Sequence, residues 1–399
     1  MFNLKIAAAL MSAMALSFGA VAPAQAEVLK VGISMPLSGP GAAYGIGSNW
    51  AAKQAAARIN KAGGIKAGGK VYTLEVITYD NKYNAADGAK VAQTLFNQDG
   101  VRFVVASGST AAVSAMQAIA ERQGILMFTG AWGKRLKGKD FPMTYTNLNT
   151  PTEVLVPLYS YIQQAHPNAK TVALVNPNDS SGQDTEKDAR ATLEKLGFKV
   201  ISSDFFERST TEFVPLATKI AANKPDIIEL AATPPQNVGQ ILKELDVLGW
   251  KGVRISSAGS SADAIVKAGG NSVEGTYLGL GSDYAGPLAT PIQRELDALA
   301  RKEIDMPLDQ TGMMAWESTM AIKKAIETAN SVEPKLVAAA LNKIVFDSSY
   351  GPSAFGYAEE YGLPNQMMLP ILVTQIKGGK VIEVKRVNPP QLEARLKQR

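Results

Sequence analysis

Short apolar strands alternate with amphipathic helices almost without interruption, in two successive runs, and this alternation limits the folds open to the chain. In the first run strands are expected at 28–34, 71–80, 101–107 and 125–128, with helices at 45–61, 85–99 and 110–123. The second run repeats the plan, with strands at 171–176, 200–206, 226–232 and 253–257 and helices at 182–196 and 236–248. Buried strands separated by helices make parallel sheets, because a parallel crossover needs a connection long enough to be helical. Helix starts at Ser, Thr, Asp or Asn and stops at Gly197 and Gly249 support these boundaries.

Two irregular, proline-containing stretches, 141–157 and 280–291, separate the runs from each other and from the C-terminal part of the chain. That part holds helices at 290–302, 312–329 and 334–344, then a hairpin, 369–376 and 381–387, turned at Gly378-Gly379. Helices placed after the second sheet can pack back on the first lobe, so the chain would cross between lobes more than once. The expected fold class is α/β, two doubly wound parallel-sheet lobes joined by a multi-strand hinge around a ligand cleft. The expected division is 27–148 plus 282–352 for the first lobe and 149–281 plus 353–399 for the second.

The N-terminus reads as an export signal. Lys5 precedes an apolar run, 6–18, and Ala22-Pro-Ala-Gln-Ala26 fits an A-x-A cleavage site, so residues 1–26 are read as a cleaved signal peptide. The apolar run is shorter than the roughly twenty residues a bilayer span needs. No cysteine stands near the cleavage site to accept a lipid. A released, periplasmic protein beginning near Glu27 is therefore expected.

Composition excludes several classes of activity. Lys and Arg total 41 against 36 Asp and Glu, scattered without a basic stripe, which disfavours nucleic acid as a partner. Cysteine is absent, so disulfides and thiolate metal sites are impossible. The single histidine, His166, sits before Pro167 at an expected helix end, so histidine-based hydrolysis and metal ligation start badly. No catalytic residue, metal or cofactor is expected.

The glycine-rich turn after the first strand, Gly39-Pro-Gly-Ala-Ala-Tyr-Gly45, invites a dinucleotide reading. It fails on spacing, because a G-x-G-x-x-G motif needs glycine where Tyr44 stands, and no Walker lysine follows. Taken with Pro36-Leu-Ser-Gly-Pro40, Asn60-Lys-Ala-Gly-Gly-Ile65, Tyr79-Asp-Asn81, Gly124-Ile-Leu-Met127 and Asp179-Ser-Ser-Gly-Gln-Asp184, the turn points elsewhere. In order and spacing these segments resemble the periplasmic solute-binding proteins of branched-chain amino-acid (Leu/Ile/Val) ABC importers. The resemblance covers nearly the whole mature chain. It implies a type I, hinged two-lobe binding protein without catalysis, expected to act as a monomer. The implied partners are a small-molecule ligand, a membrane permease and cytoplasmic ATPase subunits.

The family's binding residues carry over in part. A Ser or Thr opening the helix after the third strand holds the ligand carboxylate in the family, and that position falls on Thr110, with Ser109 beside it. A helix start presents free N–H groups and partial positive charge, so the physics agrees, although Ser109 can also simply cap the helix. Tyr44 matches the family's cleft tyrosine. The ammonium contacts depart from the pattern. Phe128-Thr-Gly-Ala-Trp-Gly133 puts Ala131 and Trp132 along the turn and Gly133 where the family has a threonine. Ala258 falls where its second-lobe glutamate should follow the strand, and its second-lobe aromatics fall on Ser181 and Pro234. An enclosed ammonium without a carboxylate costs several kcal/mol. The expected ligand is therefore a carboxylic acid with an aromatic or bulky apolar body and no α-ammonium. Trp132 would stack on it, or else pack as a core indole, and Arg135 would supplement the anion site or lie solvated.

Three other readings stay open. A sensory ligand-binding domain would normally be fused to a membrane or DNA-binding segment, and an exported hydrolase would need a base that the cleft motifs lack. An amino-acid or amide binder would need a counter-charge placed elsewhere, for which Asp263 and Asp283 are candidates.

Overall fold

A computed structural model describes residues 26–397. The expected signal peptide thus lies outside the described residues, except for Ala26. Two sheets form, nine-stranded and seven-stranded. In the first, Glu27–Met35 runs parallel to both Lys70–Asp80 and Phe103–Ser107, and Leu126–Thr129 and Thr144–Thr146 extend the parallel set. The last five residues of Glu27–Met35 are all buried, as a central strand covered on both faces requires. In the second, Thr171–Pro177 lies between Lys199–Phe206 and Ile227–Glu229, followed by Val253–Ser256 and Tyr277–Leu278, all parallel. The hairpin Ile371–Lys377 and Lys380–Val387 closes this sheet antiparallel, turned by Gly378 and Gly379 at φ 57° and 70°. Two α/β lobes result, as the alternation implies.

The chain crosses between lobes at 147–150, near 279–282 and at 368–370. Asn149 Nδ2 ties the first crossing to the third by donating to Pro370 O at 2.9 Å. Gln310 Nε2 reaches Gly281 O in the second crossing at 3.4 Å.

Several boundaries differ from expectation. The stretch 141–157 is not irregular throughout: it contains Thr144–Thr146 and the start of a helix, Pro151–Ala165. Pro151 suits the first helical turn, where its missing N–H has no partner to lose, and Thr150 and Glu153 form a capping box. Pro157 lies inside this helix at a cost of about 3 kcal/mol. Val154, Leu155, Leu158, Tyr159 and Ile162, each at most 1% exposed, outweigh it at about 1.5–3 kcal/mol per buried side chain. Helices Val214–Ala222 and Ala262–Gly269 are not among the expected elements. Strands Gly351–Gly356 and Gln366–Met367 pair within the first sheet, so a lobe boundary at 352/353 cuts a first-sheet strand. The last helix, Pro390–Lys397, also returns to the first lobe, where Leu392 packs with Val345, Ala354 and Met368.

Candidate functional site

Parallel α/β sheets bind ligands at the carboxyl ends of their strands. Here those ends face each other across the cleft. On the first lobe, Phe103–Ser107 leads through Gly108 into helix Thr110–Gln123. Ser109 caps this helix, its Oγ accepting from Ala112 N–H at 3.4 Å and donating to Tyr83 O at 3.2 Å. Ser109 has φ 73°, a region that costs a residue with a side chain about 1–3 kcal/mol, as backbone at ligand sites often does. The Thr110 N–H donates to Ser181 Oγ of the second lobe at 3.2 Å, and Thr110 Oγ1 is buried with no partner.

The opposing wall starts at helix Ser180–Lys195. Its cap, Asp179, accepts from the N–H groups of Ser181 and Gly182, both at 3.0 Å. Arg208 Nε donates to the same carboxylate at 2.7 Å while its guanidinium lies 4.0 Å over the Tyr83 ring of the first lobe. Further contacts join the lobes. Tyr44 Oη donates to Thr233 O at 3.4 Å, and Arg135 pairs with Asp184 at 3.2 Å. Asp309, which caps helix Gln310–Ala329, accepts from Ser261 N–H and, at 3.1 Å, from its hydroxyl. Burial raises the Asp309 pKa and pushes the Tyr44 hydroxyl far above its ordinary range.

These contacts enclose a cavity of about 60 Å³. Its apolar walls include Met35, Pro36, Leu148, Leu280 and Met314, beside Tyr44, Tyr83 and Trp132. Ser109, Ser181 and Thr311 add aliphatic hydroxyls to the phenols of Tyr44 and Tyr83, and no charged side chain lines it among the described residues. A cavity of about 150 Å³ holds a benzene, so a ring needs the lobes to part or the walls to shift.

Of the residues singled out from sequence, Tyr44, Ser109, Ala131, Trp132, Ser181 and Ala258 line the cavity. Thr110 stands just behind it, facing Ser181. Pro234 does not line it; it caps helix Pro235–Val247, and its neighbours Ala232 and Thr233 make the approach instead. Gly133 answers a steric demand, because a Cβ there would lie 2.5 Å from Thr110 Cγ2. Arg135 is half exposed and belongs to the ion pair with Asp184. Asp263 and Asp283 line a different cavity, of about 260 Å³, together with Asp309, Arg301 and Lys380. Trp50 and Trp316 pack in one core cluster and Trp250 in another. His166 lies at the amino ends of the second-sheet strands, opposite the cleft, with Nε2 3.0 Å from Tyr277 Oη.

Tyr83, Leu148, Leu280, Thr311, Met314 and Arg208 escape the sequence reading. Tyr83 follows the Tyr79-Asp-Asn81 segment but sits at φ 62°, a turn conformation that no glycine announces. Arg208 comes from the loop after Lys199–Phe206, and no cap or spacing in the sequence marks it as a cleft residue.

Residues 28–380 match the family described as periplasmic binding protein. The chain belongs to that family. A leucine-, isoleucine-, valine-, threonine- and alanine-binding protein of Pseudomonas aeruginosa is 25% identical over 358 residues, covering 89% of this chain and 92% of the relative. The leucine binding protein LivK of Thermotoga maritima superposes with a TM-score of 0.79 at 17% identity, covering 91% of this chain and 100% of the other. A solute binding protein of an ABC transporter from Rhodopseudomonas palustris, in complex with 3,4-dihydroxy benzoic acid, gives 0.76 at 17% identity, over 90% and 97% of the two chains. Both structural likenesses bear on the fold, which is that of type I periplasmic binding proteins.

In this periplasmic binding protein two carboxylates lie near the expected ammonium positions: Asp184, whose buried Oδ2 is 3.0 Å from where a Gly133 Cβ would stand, and Glu229. Glu229 ends a second-sheet strand and is wholly buried, its Oε1 accepting from Ser257 N–H at 3.0 Å, one residue before Ala258. Burial pushes its pKa up to about 7. It does not line the cavity. No described helix is long and apolar enough to cross a membrane.

Proposed function

We propose that this periplasmic binding protein captures a carboxylic acid with an aromatic or bulky apolar body and no α-ammonium group. It delivers that acid to a membrane permease driven by ATPase subunits, after export and removal of residues 1–26. One observation carries the ligand class: the cavity meets a helix start capped only by the neutral Ser109, yet no Asp or Glu lines it. The carboxylate would take the Thr110 N–H from Ser181 and engage the unpartnered Thr110 hydroxyl. A helix start stabilises the anion, while an ammonium would find no counter-charge among the cavity-lining residues. Trp132, Tyr44 and Tyr83 would bound the apolar body, with Ala131, Ala258 and Ser181 leaving it room. The solved relative with 3,4-dihydroxy benzoic acid supports an aromatic acid in this fold.

The matched pair 3-phenylpropanoate and phenylalanine tests the reading by calorimetry. Tighter binding of the acid is expected, and the free acid should bind far better than its methyl ester. Tighter binding of phenylalanine would overturn the reading in favour of amino acids, the ligands named for the P. aeruginosa relative. Small-angle scattering of the same samples should show compaction as the lobes close; an unchanged radius of gyration at saturation would count against the clamp.

A further inference from the structure

The cavity holds two buried polar atoms that the carboxylate contact does not use. Trp132 and Thr311 both line it, and they are 7% and 5% exposed. Trp132 Nε1 and Thr311 Oγ1 have no hydrogen-bond partner. Leaving a buried donor unmade costs about 1–3 kcal/mol, so two in one apolar pocket call for an occupant that satisfies them.

Trp132 lies on the first-lobe wall between Thr110 and the helix that carries Thr311. The segment Gly130–Gly133 runs along the first-lobe wall. At Gly133 it abuts Thr110, where an added Cβ would come within 2.5 Å of the threonine methyl. At Gly130 it abuts Met314, where an added Cβ would lie 2.6 Å from the sulfur. Met314 is on helix Gln310–Ala329, three residues after Thr311, so the wall runs from the anion end toward the helix that carries Thr311. Gln310 holds the start of that helix against the second crossing through Gly281 O.

We infer that the ligand carries an oxygen substituent on its apolar body, remote from the carboxylate, and that Thr311 Oγ1 and Trp132 Nε1 bind it. This rests on the aromatic-acid reading above and narrows it to hydroxylated or keto-substituted acids. Trp132 can only donate, so the group must accept; a threonine hydroxyl can do either. A hydroxyl satisfies both residues, accepting from the indole and donating to or accepting from the threonine. A site built around such a bond discriminates strongly against the analogue without it, because its own polar atoms then stay unpaired.

The test is calorimetry on the mature protein with 3-phenylpropanoate and its 2-, 3- and 4-hydroxyphenyl isomers. At least one isomer should bind tenfold or more tighter than the parent acid, as expected from about 1.4 kcal/mol per tenfold. Thr311→Val should weaken that isomer at least tenfold more than it weakens the parent, and Thr311→Ser should keep the preference. Trp132→Phe, which keeps a ring and removes the N–H, gives a second, independent loss of the preference. Equal binding of the parent acid and all isomers, or equal losses for both ligands in Thr311→Val, would overturn the inference while leaving the aromatic-acid reading standing. If no acid of the series binds but phenylalanine or leucine does, the underlying reading fails and this inference falls with it.

Discussion

The two walls of the cleft are built the same way, each from a strand, a short turn and a helix start, yet they treat negative charge differently. On the second lobe the helix start is already neutralised. Asp179 accepts the N–H groups of Ser181 and Gly182 and is itself held by Arg208. On the first lobe the cap is the uncharged Ser109, and the Thr110 N–H meets only a hydroxyl from across the cleft. A helix start carries about half a positive charge. One wall meets that charge with its own carboxylate, and the other meets it with neutral hydroxyls alone. Under the proposed function the difference is a division of labour: the first lobe would hold the anion, and the second lobe would seal it in with Ser181, Ala232 and Ala258.

Making the first wall resemble the second should have the largest effect. Ser109→Asp would place a carboxylate where the ligand's belongs, and like charges 4 Å apart cost about 4 kcal/mol at an effective dielectric of 20. Binding of 3-phenylpropanoate should fall more than about 100-fold, as read by calorimetry, with the melting temperature showing that the fold survives. Near-normal affinity would mean that the anion sits elsewhere.

The buried carboxylates beneath the walls set a pH dependence. Burial raises Glu229 and Glu317 from the ordinary 4.5 to about 7. Between those values the folded state binds more protons than the unfolded one, so stability falls as pH rises from about 4.5 to 7 and the benefit is gone above. Each contributes on the order of 3 kcal/mol at about 1.36 kcal/mol per pH unit. Melting temperature should drop from pH 5 to pH 8, and Glu229→Gln should remove roughly half of that slope. A variant with the parent's full slope would show that Glu229 does not titrate there.

Thr110→Val deletes a hydroxyl but leaves the helix N–H groups. Affinity for the acid should weaken by about 1–3 kcal/mol, the range for an unpaired partner of a charged group, without being abolished. The Arg135–Asp184 pair, half exposed at its arginine, joins the walls at their rim, and solvent screening limits its worth to about 1 kcal/mol. Arg135→Ala should expand the ligand-free protein slightly in small-angle scattering and change affinity less than tenfold. A larger loss of affinity would place Arg135 in the anion site after all.

Much of the first wall is legible along the chain. A cap residue, a helix start and an aromatic after the next strand are local features, so Ser109, Thr110 and Trp132 stand out from their neighbours in sequence. The second wall is less legible, because small residues such as Ala232 and Ala258 carry no signal of their own. Pro234 illustrates the limit: the strand and helix around it are anticipated, but a shift of one or two residues decides which side chain faces the cavity. Leu148, Leu280 and Thr311 lie at or beside the crossings, where chain direction is set by packing between lobes rather than by periodicity.

The sequence by itself determined two mainly parallel α/β sheets, several crossings and a helix start capped by Ser109, since periodicity, caps and glycine stops act over a few residues. Only the tertiary structure decided that Gly351–Gly356 and Gln366–Met367 belong to the first sheet, that Arg208 stacks on Tyr83, and that Trp132 and Thr311 share one cavity. Those pairings join residues far apart in the chain. Their free energy comes from burying surfaces that meet only after both lobes have folded, and no local pattern encodes which surfaces those are.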